Sequence, residues 1–168
     1  MKAKTLLVWL LSSLMLLSCG NEPPKLLDET QEGLGTLACL INGELIVAQG
    51  RIRYSKGFST PRVYGLYNPL TNQFTLNAHT EQRHSFQFFI SNPRLGHNVI
   101  DSVFFWPELG SHYYVARNVQ NIRLTRFDSD IASGIFAFDA NDYDRHTHEP
   151  IPNRQIQVRR GRFDVRLR

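Results

Sequence analysis

The densest run of metal-ligating side-chain types is Asp139-Ala140-Asn141-Asp142-Tyr143-Asp144-Arg145-His146-Thr147-His148-Glu149. Two histidines at i and i+2 lie on one side of an extended segment. With Asp142, Asp144 or Glu149 they offer imidazole and carboxylate donors to zinc or a similar divalent ion. The spacing is not His-Glu-x-x-His, and the EF-hand template fails because Tyr143 stands where an acid or Asn belongs and Asp144 where Gly belongs. A polar surface loop between two strands accounts for the same composition, since loops collect such residues. The candidate metal site is therefore Asp142, Asp144, His146, His148 and Glu149, with a weakly held ion.

Other chemistry is sparser. Asp128-Ser129-Asp130 is a second acidic pair, but Asp and Ser are turn formers, and paired carboxylates hydrolyse glycosides only at a set separation. There is no Gly-x-Ser-x-Gly, no Ser-x-x-Lys and no Gly-rich phosphate loop, and His79, His84, His97 and His112 are scattered. Trp106-Pro107 at a strand end, with Tyr113 and Tyr114 nearby, is a candidate ligand or partner surface, because exposed aromatics stack on sugar rings or form protein hot spots. The C-terminal Arg154, Arg159, Arg160, Arg162, Arg166 and Arg168 form a basic patch in which Asp164, at i±2, is placed to pair with Arg162 and Arg166. Such arginines suit phosphates and carboxylates, and they also guard the edge of a last strand.

The best-defined chemistry is at the N-terminus. Lys2 and Lys4 precede Leu6 to Leu17, an apolar run of 12 residues broken only by Ser12 and Ser13. Roughly 20 residues are needed to span a bilayer, so this is a secretory signal. Leu16-Leu17-Ser18-Cys19-Gly20 resembles the bacterial lipobox. The resemblance implies diacylglyceryl attachment to the Cys19 sulfur, cleavage between Ser18 and Cys19, and acylation of the new amino group. Several acyl chains anchor durably, each buried methylene contributing about 0.8 kcal/mol. Gly20 follows the lipidated Cys in place of Asp, which favours the outer membrane. Cys39, the other cysteine, sits among Leu37, Ala38, Leu40 and Ile41 and is expected as a buried, inert thiol.

Gly20 to Gly33 has Pro23, Pro24 and four acids, with only Leu26 and Leu27 apolar, and reads as a flexible tether. Beyond it the period is two. Thr36 to Ile41, Asn42-Gly43 and Glu44 to Ala48 form a hairpin signal, because a type I′ turn wants positive φ at both central residues. Pairing Ile41 with Glu44 sets Cys39 across from Ile46 and Leu40 across from Leu45, with both faces apolar and covered. Phe74, Leu76 and Ala78, then Phe86, Phe88 and Ile90, alternate with polar residues. Tyr64 to Tyr67, Val99 to Trp106, His112 to Ala116, Ile122 to Phe127 and Ile131 to Phe138 add further short strands, and no stretch holds helical periodicity. Gln155 to Arg159 and Arg162 to Leu167 read as a closing hairpin around Arg160-Gly161, with Ile156, Val158, Phe163 and Val165 inward and Asp164 outward. Roughly nine to eleven strands predict an all-β fold, an antiparallel β-sandwich, with a lipocalin-like closed barrel as the alternative.

Three segments, Thr30-Gln31-Glu32-Gly33 leading into Leu37 to Gly43, Ile131 to Phe138, and Gly161 to Val165, together resemble a group of small, mostly uncharacterised Bacteroidetes lipoproteins. The resemblance implies an envelope location and a β-rich fold, and carries no catalytic residues. The expected organisation is a signal peptide at 1–18, a lipidated Cys and flexible tether at 19–33, and a single domain at 34–168. The expected function is a membrane-anchored envelope lipoprotein, a non-enzymatic binding or structural module. The alternatives are a small hydrolase and a lipocalin-like carrier of an apolar ligand. No cofactor is expected beyond the lipid and the candidate metal. The partners are the membrane, through the anchor, and an envelope protein or glycan. The net charge of +4 would suggest nucleic acid. Loss of Lys2 and Lys4 lowers it to +2, however, and from Leu34 onward 16 bases face 11 acids behind an acidic tether. In an exported protein that excess points to acidic envelope surfaces and not to nucleic acid.

Overall fold

The computed structural model describes residues 26–55, 57–107 and 112–168, with the His112 side chain left out. The signal peptide and Cys19 lie outside the described residues, as do Glu108 to Gly110. The chain forms β1 (Thr36–Ile41), β2 (Glu44–Ala48), β3 (Arg51–Arg53), β4 (Ser59–Pro61), β5 (Val63–Asn68), β6 (Gln73–His79), β7 (Ser85–Ser91), β8 (Gly96–Trp106), β9 (His112–Phe127), β10 (Ile131–Asp144) and β11 (Pro150–Arg166). Nine of these make one antiparallel sheet in the order β2-β1-β11-β10-β9-β8-β7-β6-β5, and β3 and β4 form a separate small hairpin. The sheet curls until Gly65 of β5 bridges Leu167, just past β11, and Arg168 N–H donates to the Gly65 carbonyl at 3.2 Å. The expected all-β antiparallel architecture holds. What would be the two walls of a sandwich are parts of one nearly closed, barrel-like sheet.

Alternation places the core. In β6 and β7 every second residue, Phe74, Leu76, Ala78, Phe86, Phe88 and Ile90, is buried. Phenyl rings interlock inside: Phe88 meets Phe136 edge-on at 4.8 Å, and Phe86 lies 4.6 Å from Phe105, distances at which ring quadrupoles add to burial. The β1–β2 hairpin has the expected register, Ile41 with Glu44, Leu40 with Leu45 and Cys39 with Ile46. Its turn has φ of 50° at Asn42 and 88° at Gly43. Ala38 and Cys39, on opposite faces, are both buried.

Three expectations are corrected. The closing hairpin does not form: β11 runs straight through Arg160-Gly161. The positive φ of Arg160 (53°) absorbs one extra residue as a bulge, with Phe136 opposite Gly161 and Phe138 opposite Val158. A Cβ on Gly161 would collide with the Phe136 ring, and the Phe163 ring in turn packs on Gly134. These two reciprocal glycine–phenylalanine pairs keep both strands flush. Asp164, expected outward, is buried. Residues 26–33, expected within the tether, instead lie docked along the barrel. Leu26 is buried, and Arg162 and Arg126 donate to the carbonyls of Leu27 and Gln31.

Candidate functional site

β10 continues to Asp144, so the first half of the acidic run is strand, with alternation governing where its side chains go. Asp142 falls on the inner file after Phe138 and Ala140 and is buried opposite Tyr114. The Arg154 guanidinium reaches its Oδ2 at 3.6 Å. Asp144 Oδ1 accepts the His146 and Thr147 amides at 2.7 and 3.0 Å, which makes it the cap of the turn into β11. His148 has φ 59° and its Nδ1 lies 3.2 Å from the Tyr113 hydroxyl, while His146 and Glu149 are exposed. Among the described residues no three His, Cys, Asp or Glu side chains converge as metal ligands. The second acidic pair is also a turn: Asp128 Oδ1 accepts the Asp130 and Ile131 amides and Oδ2 binds Arg126.

The aromatic trio is divided by the same period of two. Trp106 is half-buried and stacks on Phe104 at 5.5 Å with an 11° tilt, and Tyr113 lies 5.7 Å from Tyr143. Tyr114 turns inward to Phe105, 5.9 Å away. Burial, then the charge of Asp142, pushes its phenol up against the opposing pull of Arg154. Cys39 is buried without a disulfide partner, and burial pushes its thiol up to about 12. It is an inert core residue.

The arginines behave differently from expectation. Arg159 pairs with Asp139 at 2.6 Å, and Arg168 lies over the Tyr64 ring. Asp164 does not serve as counter-ion to Arg162 and Arg166. Its carboxylate accepts Ser133 Oγ and Thr30 Oγ1, each at 2.6 Å, and the amides of Glu32, Gly33 and Leu34 at 3.1, 2.9 and 3.1 Å. Burial pushes its carboxyl up, but the Ser133, Thr30, Leu34 and Gly33 hydrogen bonds outweigh it and hold the group below the usual carboxylate range. Contacts spanning 134 residues in sequence leave no local signal, which is why sequence reasoning placed Asp164 outward.

A further feature is open to solvent. Pairing of β10 with β9 lapses between Phe136–Ile122 and Asn141–Val115, with Asn118 at φ 53° where β9 bulges. Beside this lapse, on the outer face, lies a groove of about 470 Å³ whose lining includes Ile135 and Ala137 as well as Arg123, Arg160, Arg162 and His97. A neighbouring hollow of about 620 Å³ includes Arg117, Arg159, Asp139 and Tyr143. Arg123 and Arg160 have no carboxylate within ion-pairing distance among the described residues. The groove can hold an anion over an apolar floor, and sequence reasoning flagged Arg160 and Arg162 but not Arg123 or His97. Comparison of the chain with protein-family models, curated proteins and solved structures finds no match, so the functional reading rests on this geometry.

Proposed function

We propose that the chain is a lipid-anchored lipoprotein of the bacterial envelope, held at the outer membrane through Cys19. Its barrel is a non-enzymatic module that binds through its outer surface. The observation that carries the second half of this reading is where space and charge lie. The inner face is filled by rings such as Phe74, Phe86, Phe88, Phe136 and Phe163, all 3% exposed or less. The arginine-lined groove is on the outside. A carrier of an apolar ligand needs internal room, and a hydrolase needs converging acids and bases. The acids met above are instead used in turns, in the Asp164 cluster and in ion pairs. The anchor rests on the lipobox resemblance alone.

Intact mass of the protein extracted from cell envelopes tests the anchor. The expected chain starts at Cys19 and carries acyl mass, and Cys19→Ser abolishes both. A chain recovered without lipid would overturn the anchor. A panel of envelope glycans and fatty acids tests the surface module. Saturable, stoichiometric fatty-acid uptake would overturn it in favour of a carrier.

A further inference from the structure

We infer that the groove between Arg123, Arg160 and Arg162 is a docking surface for the anionic headgroup phosphates of the membrane in which the chain is anchored. The inference rests on the proposed anchor at Cys19 and adds which side of the barrel meets the bilayer and what recognises it.

Position is the first argument. Arg162 lines the groove and donates from Nη1 to the Leu27 carbonyl at 2.8 Å, and Glu29 is on the rim. The N-terminal segment thus enters the barrel at the groove. The four hydrogen bonds from Thr30, Glu32, Gly33 and Leu34 to Asp164 and the bond from Arg126 to the Gln31 carbonyl hold that segment to β9–β11. Cys19 precedes Leu26 by seven residues, which can span no more than about 25 Å even fully extended. An anchor at Cys19 therefore keeps this side of the barrel close to the bilayer.

Charge is the second argument. Among the described residues Glu29 is the one acid on the groove lining. Asp139 is engaged by Arg159, so among the described residues three arginines, Arg123, Arg160 and Arg162, stand against that one acid on the lining and leave the groove with an excess of positive charge. Guanidinium forks suit phosphate oxygens, and an anionic leaflet attracts each arginine near its surface. The apolar floor of Ile135 and Ala137 suits a lipid's glycerol region better than a free inorganic ion.

The test uses the full chain carrying Cys19→Ala, which removes the acyl anchor. Binding is measured to phosphatidylcholine vesicles with and without 30 mol% phosphatidylglycerol (a trial composition of about that value), and the ratio of the two is read. The apolar N-terminal segment contributes to both arms, so the ratio isolates charge. The ratio is expected to exceed one, to fall as salt rises, and to drop on the order of tenfold or more in Arg123→Gln/Arg160→Gln. Arg123→Lys/Arg160→Lys should restore most of it, and Arg53→Gln, on β3, should leave it nearly unchanged. Thermal melts establish that these surface variants fold. Equal binding to both vesicles, or a ratio untouched by the double variant, overturns the inference. So does an acidic glycan or protein that protects these arginines where vesicles do not. The envelope mass of Cys19 is read separately, so failure of the anchor and failure of the surface are distinct results.

Discussion

Thr30 Oγ1 donates to Asp164 Oδ2 at 2.6 Å across 134 residues of sequence, and that bond is one of four by which a single buried carboxylate fastens the N-terminal segment to the barrel. Asp164→Ala is expected to destabilise the domain by about 3 kcal/mol, since hydrogen bonds to a charged group contribute roughly 1.5–3 kcal/mol and buried donors are left unmet. Chemical denaturation measures this, and a loss below about 0.5 kcal/mol would show the cluster to be incidental.

The same carboxyl predicts a pH dependence. Its folded value is held below the ordinary one, so its contribution is fully present above the unfolded value of about 3.9 and is lost as pH falls through the folded value. The stability gap between wild type and Asp164→Asn should be constant from neutral pH to about 5 and close on further acidification. A gap that widens in acid would contradict the assignment.

Gly161 and Phe136 form a second tight pair, because a Cβ at 161 would enter the ring. Gly161→Ala is expected to cost about 2–3 kcal/mol, the usual range for forced overpacking. Phe136→Leu, itself destabilising, should be less costly in the Gly161→Ala background than in the wild type. A double-mutant cycle reads that coupling, and strict additivity would place the strain elsewhere.

Cys39 is buried and its thiol is pushed up to about 12. It should resist a thiol-specific reagent at pH 8 in the folded protein and react fully once denaturant unfolds the chain. Immediate stoichiometric labelling without denaturant would show that the β1–β2 hairpin opens.

Asp142 and Asp144 are held apart, one inward beside Tyr114 and Arg154, the other capping a turn. Calorimetry with sub-millimolar zinc or calcium is expected to give no binding heat. A saturable heat lost in His146→Ala/His148→Ala would instead place a metal on this turn.

Much of the fold was legible because it depends on short-range rules. Alternation of Phe74-Leu76-Ala78 and Phe86-Phe88-Ile90 marks an inner face whatever the strands pair with. Asn42-Gly43 specifies its own turn, and the turn then sets the register of β1 on β2. The same rules failed at Arg160-Gly161, where a turn and a bulge make the same local demand for positive φ. The choice fell to β1 and β10, which pair with β11 on both sides of the bulge. Composition misled in Asp139 to Asp144, because a polar run reads as loop, whereas β10 continues through it with Asp139 and Asn141 on the outer file and Ala140 and Asp142 on the inner one.

The sequence by itself determined the class of fold, the β1–β2 hairpin, the buried Cys39 and the expectation of an export and lipidation signal. Each is written in neighbouring residues, through period, turn chemistry or motif. Only the tertiary structure decided that one sheet curls nearly closed on its phenyl rings, that Asp164 holds Thr30 to Leu34, and that Arg123 joins Arg160 and Arg162 around one groove. Those relationships join segments far apart in sequence, and no local propensity selects among the ways such segments can meet. Burial of the apolar face and satisfaction of each buried polar group do.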